Sequence, residues 1–75
     1  MSDRLALLEI FRSKARCAHT QFAAGSAWQR LHNHLDCSER SALSIAWSHI
    51  TTGEGTPAKQ ELDEACKGIA ERWTA

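Results

Sequence analysis

The chain has 75 residues, 43% of them apolar and 24% charged, with nine basic and nine acidic side chains. That describes one globular domain: too short for two, too apolar for disorder, and too balanced in charge to imply nucleic acid or an anionic membrane. The first 36 residues hold five basic and three acidic side chains and the rest hold four and six, an asymmetry too slight to change this.

No apolar run approaches the ~20 residues that a bilayer span requires. Glu9 cuts short the apolar stretch that begins at Leu5, so it does not form a secretory core. Cys17, Cys37 and Cys66 are odd in number and widely spaced, which reads as free thiols rather than a disulfide framework. These features predict a soluble, cytoplasmic protein. A chain this short buries only about 60% of the surface its unfolded form exposes. A partner or a second copy would supply the missing burial.

There is no Tyr and no Val, and helix formers dominate, so the predicted class is all-α, a compact three- or four-helix bundle. The first helix is predicted from about Asp3 to Ala24, with Ser2 as N-cap. Its main apolar face is Leu8, Phe11, Ala15, Ala18 and Phe22, at helical spacing, with Glu9, Arg12, Ser13, Arg16 and Thr20 opposite. Gly25 reads as a left-handed C-cap, and Ser26 to Gln29 as a capping box. A short second helix would follow from about Ala27 to Leu35, turning Trp28, Leu31 and Leu35 inward.

Asp36 to Glu39 has capping-box spacing too, and would open a third helix from about Cys37 to Thr51 that buries Leu43, Ala46, Trp47 and Ile50. Leu35, Ala42, Ala46 and Ile50 stay nearly in phase, so one continuous helix from Ala27 to Thr51 is the alternative. Gly53 then ends a helix, and Thr56 as N-cap with Pro57 at the first helical position starts the last, from about Pro57 to Trp73. Its stripe is Leu62, Cys66, Ile69 and Trp73, widened by Ala58 and Ala65. Asp63 with Lys67, and Lys67 with Glu71, would pair on its outer side.

The motifs that carry chemistry are weak. Zinc wants four converging ligands, and Cys17, His19, His32, His34, Cys37, His49 and Cys66 contain no CxxC or HxxxH pair. Only His34 and Cys37 could share an ion, and only on a helix that continues through Asp36. The glycine loop from Gly53 to Lys59 lacks the P-loop pattern, and Glu54 would repel an anion. Ser, His and Asp occur without a spacing that fixes a triad. No metal, no cofactor and no enzymatic activity is expected.

Two surfaces remain. Ala6, Ile10, Cys17 and Ala24 lie outside the main stripe of the first helix, and form a candidate surface for a protein partner or a two-fold homodimer. Arg12, Lys14 and Arg16 form the densest basic cluster, the basis of the alternative, a small DNA- or RNA-binding regulator. Trp28, Trp47 and Trp73 are a heavy aromatic load for so small a core, which favours an interface. The expected function is a non-enzymatic protein-interaction module that regulates or inhibits its partner. Accessory inhibitors of the mobile-element type are an expectation from size alone.

Overall fold

A computed structural model describes residues 3–17, 20–53 and 55–75. The expected N-cap Ser2, the stripe residue Ala18, His19 and Glu54 lie outside the described residues. Four helices follow one another: α1 Asp3–Ala15, α2 Gln21–His32, α3 Cys37–Thr51 and α4 Thr56–Thr74. α1 packs on α2, α3 packs on α4, and α1 also rests against α4. The radius of gyration is 11.3 Å, close to the ~11 Å expected of a compact chain of this length.

The third and fourth helices begin near the residues that local chemistry selects. At the start of α3, Asp36 is extended and its Oδ1 accepts from the Glu39 amide at 2.8 Å, while Glu39 Oε1 accepts from the Asp36 amide at 2.9 Å. This reciprocal box satisfies two otherwise orphaned donors and ends any continuity with α2. The continuous helix from Ala27 to Thr51 does not form. α2 stops at His32, three residues before the expected Leu35, and the His34–Cys37 spacing is not helical.

Gly53 has φ 82° and closes α3 as expected. Gly55, not Thr56, is the N-cap of α4. Its φ of 74° with ψ −144° is a backbone that only glycine adopts at little cost. Thr56 and Pro57 therefore form the first turn.

The first helix departs most from expectation. It ends at Ala15 and α2 begins at Gln21, so the break falls ahead of Gly25 and Ser26, which lie inside α2. Side chains beyond the break satisfy the last carbonyls of α1. Thr20 Oγ1 donates to the Lys14 carbonyl and, at 3.0 Å, to that of Cys17. Gln21 Nε2 donates to the carbonyls of Ala15 and Cys17, both at 3.1 Å.

This break creates an antiparallel hairpin in which Gln21 lies beside Ala15 and Trp28 beside Phe11. It also resets the phase of α2, whose buried residues are Ala24, Ala27 and Leu31.

One core draws on all four helices: Leu8, Phe11 and Ala15 of α1, the three α2 residues, Leu43, Ala46 and Ile50 of α3, and Ala58, Leu62, Cys66 and Ile69 of α4. Leu35 joins it from the α2–α3 link. Phe11 is at the centre, with ring centroids 5.2 Å from Trp28 and 5.4 Å from Trp47. The Trp47 indole N–H donates to Gln21 Oε1, so one glutamine ties the α1–α2 turn to α3. Arg4 stacks over Trp73, 4.7 Å from the ring centroid, joining the start of α1 to the end of α4.

All three tryptophans are half-buried against the core. No helix among the described residues is long and apolar enough to cross a membrane.

Gly25 and Gly68 are helix-interior residues with no contact that requires glycine. A Cβ at either would meet nothing within 4 Å. Gly68 therefore does not serve a close helix crossing. Gly25→Ala and Gly68→Ala should each stabilise the fold by about 0.5–1 kcal/mol. Urea denaturation of the two single variants tests this. A loss of stability in either would reveal a backbone requirement at that position.

Candidate protein-interaction surface

Two of the three exposed large apolar side chains among the described residues lie along the α1–α2 hairpin. Phe22 is 96% exposed and Ile10 45% exposed. They face one groove, completed by Lys14 of α1 and by Ala23, Ser26, Ala27 and Arg30 of α2. Small residues form part of its lining and the two cations bound it.

Phe22 was expected in the core because it repeats in phase with Phe11 on an unbroken helix. The break between α1 and α2 brings it to solvent instead. The same break dissolves the stripe of Ala6, Ile10, Cys17 and Ala24. Ala6 and Ile10 remain exposed on α1, but Ala24 is fully buried. Cys17 is half-buried and lines a different groove, with Arg12, Ser13, Arg16, Ile50 and Lys59.

The basic cluster is divided as well. Arg12 bonds Glu9 and also reaches Asp63 Oδ1 of α4 at 3.1 Å; Arg16 Nε lies 3.5 Å from the same oxygen. Asp63 thus faces α1 rather than pairing with Lys67 on the outer side. The Arg12 hydrogen bond holds the Glu9 carboxyl below its ordinary range, and the two carboxylates, Glu9 foremost, hold Arg12 more firmly protonated. Lys14 points into the Ile10–Phe22 groove instead. The three cations do not form one face for a phosphate backbone.

Two other side-chain contacts tie α3 to α4. His49 Nδ1 lies 2.8 Å from Glu61 Oε2. Glu39 is only 5% exposed, and its second oxygen lies 3.3 Å from Arg72 Nη2. The capping glutamate is thereby also an inter-helix contact, which its spacing alone did not reveal. Hydroxyls near His49 are engaged elsewhere: Ser48, Thr51 and Thr52 each donate to a backbone carbonyl. Among the described residues, no three His, Cys, Asp or Glu side chains gather closely enough to hold a metal ion.

Burial pushes the Cys66 thiol up to about 12 from an ordinary 9.0. Its native pKa exceeds the unfolded one, so its contribution to stability is full below the unfolded value. That contribution is lost as pH rises through the window from 9.0 to about 12. The urea midpoint of the wild type should fall more steeply across this window than that of Cys66→Ala. Parallel curves would show that Cys66 ionises as freely in the fold as outside it.

Comparison with protein-family models, with curated proteins and with solved structures finds no match for this chain. The fold itself defines the class, an all-α helical bundle. Its α1–α2 groove holds two large apolar side chains that the core does not cover.

Proposed function

We propose that the protein is a non-enzymatic interaction module that binds a protein partner through the Ile10–Phe22 groove and so regulates or inhibits that partner. The observation that carries the proposal is Phe22, an aromatic side chain 96% exposed on an ordered helix beside the 45% exposed Ile10. Covering a Phe side chain is worth about 1.5–3 kcal/mol, so an occupant of this groove gains from it directly. Aromatic and Arg side chains are also the types enriched where binding energy concentrates, and Arg30 lies at the rim.

The non-enzymatic part rests on the chemistry around His49, whose neighbouring hydroxyls are committed to backbone carbonyls. Three free cysteines suit a reducing compartment, and a cytoplasmic location is part of this proposal.

A second copy of the chain is the rival occupant. A two-fold dimer through this groove would use Ile10 and Phe22 rather than the buried Ala24. A photocrosslinking residue placed at position 22, compared with one at the exposed Ile45 of α3, tests the reading in the native cell. A discrete protein adduct from position 22 that is absent from position 45 is expected. An adduct with one further 8.3 kDa chain would identify self-association. No adduct from position 22, or the same adducts from both positions, would sink the groove as an interface.

A further inference from the structure

Resting on that reading, the charge on the groove names the class of occupant. We infer that the α1–α2 groove takes a short amphipathic helix whose apolar stripe is flanked by acidic residues. Among the described residues, the charged side chains that line the groove are Lys14 and Arg30. Neither is ion-paired among the described residues, whereas Arg12, Arg16 and Arg72 all are. The groove therefore offers two uncommitted cations around an apolar centre. Carboxylates flanking an apolar stripe complement that pattern.

The same charges oppose a second copy. An isologous contact would bring the Lys14 and Arg30 of each chain into one interface, where like charges repel. They also do not suit a nucleic-acid strand. Two cations release too few counterions for strong phosphate binding, and the centre between them is aliphatic and aromatic.

Main-chain geometry selects a helix over an extended peptide. The groove is walled by two helices whose backbone groups are largely satisfied internally, so it presents no strand edge to pair with. An extended segment laid over Ile10 and Phe22 would bury amides without partners, whereas a helix brings its own hydrogen bonds. Ala23 and Ser26 are small enough to let a third helix approach closely. Along α2 the distance from Phe22 to Arg30 is about 12 Å, so the contact is two to three turns long.

The antiparallel hairpin sets Lys14 near the Phe22 end and Arg30 two turns away, so acids are wanted toward both ends of the occupant.

Two synthetic helical peptides of roughly 18 residues provide the probe, sharing one Leu stripe and differing only in Glu or Lys flanks. Their binding to the full chain is read by fluorescence anisotropy at low and high salt. The Glu-flanked peptide should bind at least about tenfold more tightly at low salt, with the margin shrinking as salt rises. The double variant Lys14→Glu/Arg30→Glu should reverse the preference, and Phe22→Ser should weaken both peptides. These three positions are on the surface, and circular dichroism confirms that each variant keeps its helices.

Equal binding of both peptides, lost in Phe22→Ser, overturns the acidic partner and leaves the groove reading intact. Failure of both peptides to bind overturns the helix, while the position-22 crosslink reports separately on the groove. Tighter binding of a short DNA duplex than of the Glu peptide, abolished by the double charge reversal, would also overturn the inference.

Discussion

Phe11→Ala should remove about 3–5 kcal/mol of stability, the range for truncating a buried aromatic. For a 75-residue chain at about 0.05–0.15 kcal/mol per residue, that is a large share of the total. Phe11 is fully buried, and its ring touches Trp28 of α2 and Trp47 of α3, the latter edge-on. It is thus one of the side chains through which the α1–α2 hairpin meets the α3–α4 hairpin. The cavity left by alanine would lie between two hairpins rather than inside one, where neither can collapse onto it without moving the other.

Each ring contact adds about 0.5–1.5 kcal/mol beyond burial. Because Trp28 and Trp47 are the lost partners, tryptophan fluorescence reads both the unfolding transition and the native environment. A urea midpoint lowered at unchanged slope is the expected result. A loss below about 1 kcal/mol would show that the two hairpins are held together by something other than this aromatic cluster.

Ile69→Ala should cost about 2–5 kcal/mol, whereas Glu64→Ala should stay within about 0.5 kcal/mol of wild type. Both residues sit on α4. Ile69 is buried in the face formed with Ala58, Leu62 and Cys66, and Glu64 is exposed. The comparison holds helix propensity nearly constant and isolates burial. Neither residue lines the Ile10–Phe22 groove, so the pair reports on the core without touching the proposed interface. Thermal or urea denaturation of the two variants side by side is sufficient. Equal losses would mean that the inward face of α4 has been misassigned.

The second half of the chain was legible because its punctuation is local. Asp36 and Glu39 bond each other's backbone amides across three residues, and Gly53 takes a left-handed conformation that few other residues accept. Such signals act within one turn and need no knowledge of the rest of the fold. The stripe Leu62, Cys66, Ile69 and half-buried Trp73 was legible for the same reason, since a helix of known limits has only one apolar side.

The first half misled because its strongest local signal, Gly25-Ser26, lies inside a helix, while the true break carries neither glycine nor proline. That break depends on Thr20 and Gln21 reaching back to carbonyls of residues 14, 15 and 17, and on Trp47 holding Gln21 in place from α3.

The interaction surface inherits this division. Ile10 was recognisable as apolar outside the main stripe, because α1 is helical around it in either reading. Phe22 was not, since its face depends on where α1 stops. Moving the break forward by a few residues carries Phe22 from core to solvent and Ala24 from solvent to core, as any phase change in a helix must.

Charge pairing divides similarly. Glu9 with Arg12 was readable at a spacing of three, whereas Asp63 with Arg12 and Arg16, and Glu39 with Arg72, join residues remote in sequence. The sequence alone therefore determined the helical class, the capping box that opens α3, the glycine that closes it, and the apolar faces of α3 and α4. Only the tertiary structure decided where α1 ends, which cations remain uncommitted and which aromatic faces solvent. Those outcomes rest on side chains bonding across the turn and between helices, and no periodicity along one helix records such partners.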